Sequence, residues 1–205
     1  MLEGVRMNKD DIDVVKREIV YEGYFKMLRY NLKYRLFSGQ WSELISRDCY
    51  NRGNAVCLLL YDPIHDTVVL VEQIRIGAIE YEFDPWLLEV VAGLIDRAEP
   101  KEMIAKQEAQ EEAGIDVSEV HYIFDFLTSA GASTERVYLY YALIDASKVG
   151  GIFGLPSEHE DIKVHVVSSE KAFRWVREGK IKSSMTIIAL QWLALNKENL
   201  KKNDK

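Results

Sequence analysis

Between Gly93 and Ile115 the chain reads GLIDRAEPKEMIAKQEAQEEAGI, and this stretch restricts the fold more than any other. Pro100 stands where a helix can begin and Gly114 where one can end. Proline lacks the N–H that a first turn leaves unpaired, and glycine accepts the left-handed conformation of a C-terminal cap. On a helix of about 100° per residue, Glu108, Glu111 and Glu112 fall within an arc of roughly 100°, so three carboxylates share one face. Ala105, Ala109 and Ala113 form a stripe beside them. Such small side chains let a helix lie close against a sheet, so the spacing predicts a helix over 100–114 pressed onto strands.

Like charges so close repel one another and raise their own pKa values unless a cation neutralises them. The helix therefore asks for a metal. Ligands that are all oxygen favour Mg²⁺ first and Mn²⁺ next, over zinc, which prefers nitrogen and sulfur. The spacing G-x5-E-x8-E-x2-EE-x-G has a chance on the order of 10⁻⁴ of arising anywhere in such a chain.

Around this helix the pattern is that of strands. Leu28, Tyr30, Leu32, Tyr34 and Leu36 alternate with Arg29, Asn31, Lys33 and Arg35, the period of a half-buried strand; Ser38-Gly39 supplies a turn and 41–50 reads as the returning strand. Residues 14–50 form an antiparallel layer without a helix to cover it, which predicts packing against another subunit. Short apolar strands are expected at 55–61, 67–74 and 86–92, the last ending at Gly93, and further strands at 120–127, 136–144 and 163–167. Helices are expected at 168–178, capped by Ser168 or Ser169 and stopped by Gly179, and at 185–196, before a lysine-rich tail that frays from Lys197. This order is a mixed α+β arrangement with helices packed on sheets.

With 205 residues, 48% of them apolar and only 4 Pro and 12 Gly, the chain can bury one core with room for an appendage. Lys and Arg number 26 against 33 Asp and Glu, and the net charge of −7 argues against a nucleic-acid partner. Residues 1–13 contain no apolar signal region, and no run approaches the roughly 18 apolar residues of a membrane span, so no membrane association is expected. Cys49 and Cys57 lack a CxxC spacing and read as reduced thiols of a cytoplasmic protein.

The spacing resembles the Nudix box, G-x5-E-x7-R-E-U-x-E-E-x-G-U with U aliphatic, and Gly93, Glu99, Glu108, Glu111, Glu112, Gly114 and Ile115 match it. Gln107 stands where that pattern has Arg; it can hydrogen-bond a neighbouring carboxylate but carries no charge. The resemblance continues through YEGYF (21–25), RLFSGQWS (35–42), VEQIRIGA (71–78), PWLLEVVAGLID (85–96), SAGASTER (129–136) and GIFGLPSEHEDIKVHVVS (151–168), and is to the bacterial ADP-ribose pyrophosphatase branch of the Nudix hydrolases. Ala130 and Ala132 depart from the branch's Pro-Gly-Gly loop.

The resemblance implies a Nudix-type α/β/α sandwich with a mixed sheet, residues 51–205, preceded by an antiparallel dimerisation region, residues 1–50. It implies a domain-swapped homodimer whose subunits build the active site together. Glu108 and Glu112 would ligate Mg²⁺ with the backbone carbonyl of Ala92, Glu111 and Glu160 would be further ligands, and Glu158 would be the general base. The chemistry of the loop 154–161 agrees, because Glu111 and Glu112 are committed to cations and a metal-bound carboxylate is a poor proton acceptor. His159 in that loop reads as solvent-facing. Arg75 and Arg47 are candidates to grip a diphosphate through their guanidinium forks, with Arg52 a weaker one. Tyr24 would stack on adenine, and Leu94 and Glu135 would also contact substrate. The activity implied is Mg²⁺-dependent hydrolysis of ADP-ribose to AMP and ribose 5-phosphate; cleavage of another nucleoside-diphosphate sugar such as GDP-mannose, and a non-catalytic ADP-ribose sensor, are the alternatives.

Overall fold

The computed structural model describes residues 7–200. The chain divides into two compact units: one runs to Gly53 and includes Ser129–Glu135, and the other comprises Asn54–Thr128 and the chain from Arg136 onward.

The first unit is a three-stranded antiparallel sheet in the order β1 (Ile12–Glu22), β2 (Lys26–Tyr34), β3 (Ile45–Asn51). β2 carries the alternation seen in the sequence, with Leu28 fully buried. The hairpin arms differ from expectation. β2 stops at Tyr34 and β3 starts at Ile45, because 35–44 fold into a loop in which Arg35 bridges Trp41 and its guanidinium binds Asp11 and the Gly39 carbonyl. β1 was not separable in the sequence, since its apolar residues follow no single period and two bulges shift its register on β2. Ser129–Glu135 joins this unit through Tyr50 N–H donating to Ala132 O at 2.7 Å and Thr134 N–H donating to Tyr50 O at 3.0 Å.

In the second unit β4 (Ala55–Asp62) is buried along its whole length. It pairs antiparallel with β5 (Thr67–Ile74) and parallel with β9 (Arg136–Leu143). The predicted strand 86–92 is two strands. β6 (Trp86–Glu89) pairs with β5, β7 (Val91–Leu94) pairs with β4, and at the crossing the Val90 N–H donates to Thr186 Oγ1 rather than to a strand. Gly93 accordingly lies inside a strand instead of ending one.

The sheet is completed by β8 (His121–Leu127) beside β9, by β11 (Ile162–Ser168) beside β5, and by β10 (Gly151–Phe153) on the outer side of β11. β10 escaped the sequence reading because three residues, the first of them Gly151 following Gly150, carry no usable period.

Period-two alternation sends β4 side chains to opposite faces. Val56, Leu58 and Leu60 pack with Ile104, Ala105, Ala109 and Ala113 of α1 (Lys101–Ala113), whereas Cys57, Leu59 and Tyr61 pack with Ala172 of α2 (Ser169–Arg177) and Leu190 and Leu193 of α3 (Ser184–Leu200). Burying each such leucine contributes about 1.5–3 kcal/mol. The result is the expected α/β/α sandwich with a mixed sheet. Gly114 caps α1 at φ 66°, and the Ser168 side chain caps α2. Lys197 is not frayed: it lies in α3, and its Nζ donates to Asp66 Oδ2 and Ser169 Oγ, each at 3.0 Å. The rest of the tail, beyond Leu200, lies outside the described residues.

Candidate functional site

The alanine stripe presses α1 onto β7 and β4, and this close approach carries its carboxylates to the sheet. Glu112 is almost fully buried: its Oε2 accepts the Ala92 N–H at 3.0 Å, and its Oε1 faces Gln73 Nε2 at 3.4 Å. Glu108 lies against Gly93, where a Cβ would stand 2.1 Å from the Glu108 Cδ. On its other side the Arg97 guanidinium donates to Oε1 at 3.2 Å.

Burial pushes the Glu112 carboxyl up to about 8, only partly offset by the Ala92 N–H. Burial, with the charge of Glu111, pushes Glu108 up to about 7, while Arg97 pulls it back. Glu160 and Glu158 also raise Glu108, so the charges of loop 154–161 reach the helix. That loop is tied to α1 by the Gly154 N–H donating to the Glu111 carbonyl at 3.0 Å. Within it Glu160 Oε2 accepts the Leu155 N–H at 3.1 Å, and exposed Glu158 ends a short 3-10 turn capped by His159 at φ 58°. His159 is solvent-facing, as expected.

A hard divalent cation fits this donor set. The side chains are all carboxylates, the cost of burying their charge is only partly offset by Arg97, Arg75 and the Ala92 N–H, and glycine at 93 leaves room that a Cβ would fill. A different trio, Asp62, His65 and Asp145, also brings ligand atoms together. It is a turn clamp: both Asp62 oxygens already accept hydrogen bonds, from the N–H groups of Ile64, His65 and Ala146 and from the His65 ring.

The remaining predicted residues divide between the two units. In the second, Arg75 Nε donates to buried Glu89 at 2.6 Å and its charge favours ionised Glu112, and half-buried Leu94 ends β7 opposite Ala55. In the first, Tyr24 is 87% exposed, and with Arg17, Lys26 and Arg52 it lines a cavity of about 490 Å³. Arg52 pairs with buried Glu135 at 3.2 Å, and Arg47 is exposed on β3. Gln107, whose amide N–H and not its oxygen could donate to a carboxylate, has its Oε1 buried without a hydrogen-bond partner among the described residues.

Three residues of this neighbourhood were missed in the sequence: Gln73, Glu89 and Arg97. Gln73 had a signal, being a polar residue in register with core-facing Val69 and Val71. Glu89 and Arg97 had none, because their partners are 14 and 11 residues away on other elements.

The NUDIX domain profile matches residues 51–192. An ADP-ribose pyrophosphatase of Escherichia coli strain K12 is 46% identical over 197 residues, covering 96% of this chain and 94% of the relative. A GDP-mannose pyrophosphatase of Salmonella typhimurium is 36% identical over 185 residues, covering 89% and 94%. Among solved structures, one described as an ADP compounds hydrolase superimposes with a TM-score of 0.67 over 92% of this chain and 97% of that one, at 14% identity, a likeness of fold.

Proposed function

The chain belongs to the NUDIX domain family, and from that membership we propose that it hydrolyses the diphosphate bond of ADP-ribose, giving AMP and ribose 5-phosphate, with Mg²⁺ as cofactor and Mn²⁺ as a substitute. The observation that carries the substrate is the 46% identity, along nearly the whole chain, to a relative named for that reaction.

Divalent cations held by Glu108, Glu111, Glu112, Glu160 and the Ala92 carbonyl would offset the diphosphate charge and make the attacking water more acidic. Glu158, exposed on the acidic loop and outside that ligand set, accepts the water's proton. Glu112 is oriented by the Ala92 N–H and Gln73. Arg75 binds phosphate oxygens while Glu89 fixes its guanidinium. Tyr24, Arg47, Arg52, Leu94 and Glu135 are assigned to the remainder of the substrate. The cavity beside Tyr24 and Arg52 supports a nucleotide contact that pairs an aromatic face with cations.

The first unit serves as a dimerisation region and the second as the catalytic domain. β1 is an eleven-residue edge strand bearing exposed Ile12, Val14, Val15, Ile19 and Val20, a surface that invites another chain unless a partner covers it. A second, domain-swapped copy is the occupant proposed. The free cysteines support a cytoplasmic setting.

The test is a substrate panel of ADP-ribose, GDP-mannose and other nucleoside-diphosphate sugars, run with Mg²⁺ and with EDTA. Preferred Mg²⁺-dependent cleavage of ADP-ribose is expected. Preference for GDP-mannose would replace the substrate, binding without turnover would make the protein a sensor, and undiminished turnover in EDTA would refute the metal role.

A further inference from the structure

The Glu108 carboxylate sits in a crowd of its own sign, with Glu111 beside it on α1 and Glu158 and Glu160 on the facing loop. The helix does little to hold it. Position 107 is uncharged, Lys106 donates its Nζ to the Ser118 carbonyl, and Lys101 lies over the Tyr138 ring. The cation comes from outside the helix. Arg97, in the loop between β7 and α1, places its guanidinium 3.2 Å from Glu108 Oε1 and 3.9 Å from both Asp96 and Glu99. Together with the close approach to Gly93, this clasps the carboxylate from two sides.

We propose that Arg97 is a positioning residue for Glu108, supplying from the preceding loop the cationic contact that the uncharged residue at 107 cannot supply from the helix. The inference rests on the hydrolase reading above and adds to it a residue outside the metal ligands. A carboxylate on a flexible side chain must be ordered before it can serve in a site, and a charge-assisted bond to a planar donor fixes its rotamer in advance. The Arg97 side chain is 37% exposed, so its removal opens no core cavity.

The experiment uses the full chain and compares wild type, Arg97→Gln, Gln107→Arg and the double variant. Arg97→Gln should lower kcat for ADP-ribose at saturating Mg²⁺ by at least about tenfold, with KM within about threefold. The substrate-free variant should bind Mn²⁺, titrated by electron paramagnetic resonance, at least about threefold more weakly. Its thermal midpoint should fall by no more than the roughly 2–4 °C that one partly exposed ion pair is worth, which separates positioning from a folding defect. Moving the charge to the helix in the double variant should restore most of both losses. Wild-type kcat and Mn²⁺ affinity in Arg97→Gln would overturn the proposal. So would tighter Mn²⁺ binding, which would make Arg97 a competitor of the ion, or no recovery in the double variant. Failure of wild type to cleave ADP-ribose would instead overturn the functional reading and leave the Mn²⁺ titrations to judge Arg97.

Discussion

Replacing Gly93 by alanine should disable the site while leaving the fold nearly intact. An added Cβ would stand 2.1 Å from Glu108 Cδ, 2.2 Å from Oε1 and 2.5 Å from Cγ. Ordinary carbon contacts lie at roughly 3.5–4.0 Å, so the carboxylate must retreat by roughly 1.5 Å. Gly93 is not among the residues with positive φ, so alanine meets no backbone strain there. The displaced atoms are the far end of a flexible side chain, whose bond to half-exposed Arg97 is the main loss. Stability should fall by only about 1 kcal/mol, or about 2–4 °C in thermal midpoint for a chain of this size. Activity depends on placement far more steeply, since a misplacement of about 1 Å can cost about 10²-fold. The assay pairs kcat for ADP-ribose with a thermal melt of the same Gly93→Ala preparation. Near wild-type turnover would show that Glu108 does not work from its place against β7. A melt lowered by more than about 10 °C would show that the carboxylate cannot yield, contrary to the argument.

Glu112→Gln and Glu158→Gln should fail differently: excess Mg²⁺ should partly rescue the first, whereas the second should lose about 10²–10⁴ in kcat with substrate binding retained. Near wild-type kcat in Glu158→Gln would remove it as the base. In metal-free protein the carboxyls of Glu108 and Glu112, raised to about 7 and about 8, stay protonated after the unfolded chain has released its protons, so the stability they contribute is full below about pH 4.5 and lost as pH rises through about 7 to 8. The thermal midpoint in EDTA should therefore fall between pH 5.5 and 8.5, recover with Mg²⁺ at the upper end, and fall less steeply in Glu112→Gln; a midpoint indifferent to both pH and Mg²⁺ would contradict the burial of these charges. Ile19→Asp should weaken a dimer formed through β1, read by sedimentation velocity, and a wild-type monomer at micromolar concentration would rule that interface out.

What could be read from the chain alone was what local geometry dictates. The α1 boundaries follow from Pro100 and Gly114, its carboxylate face and alanine stripe from 3.6-residue periodicity, and the half-buried β2 from alternation. These depend on a few neighbouring residues and the helical or extended backbone, so spacing suffices. Partnership was decided by the tertiary structure. The apolar run after Pro85 gives no hint that it changes partner at Val90, because that change depends on where β4, β5 and Thr186 stand. Lys197 looked like part of a loose tail until a residue 131 positions away met it. Glu108, Glu111 and Glu112 look alike as letters on one helix face. Packing buries Glu112 against Ala92 and Gln73, sets Glu108 between Gly93 and Arg97, and raises their affinity for protons. Desolvation and charge sum over everything nearby in space, most of it distant in sequence, and no local period encodes that sum.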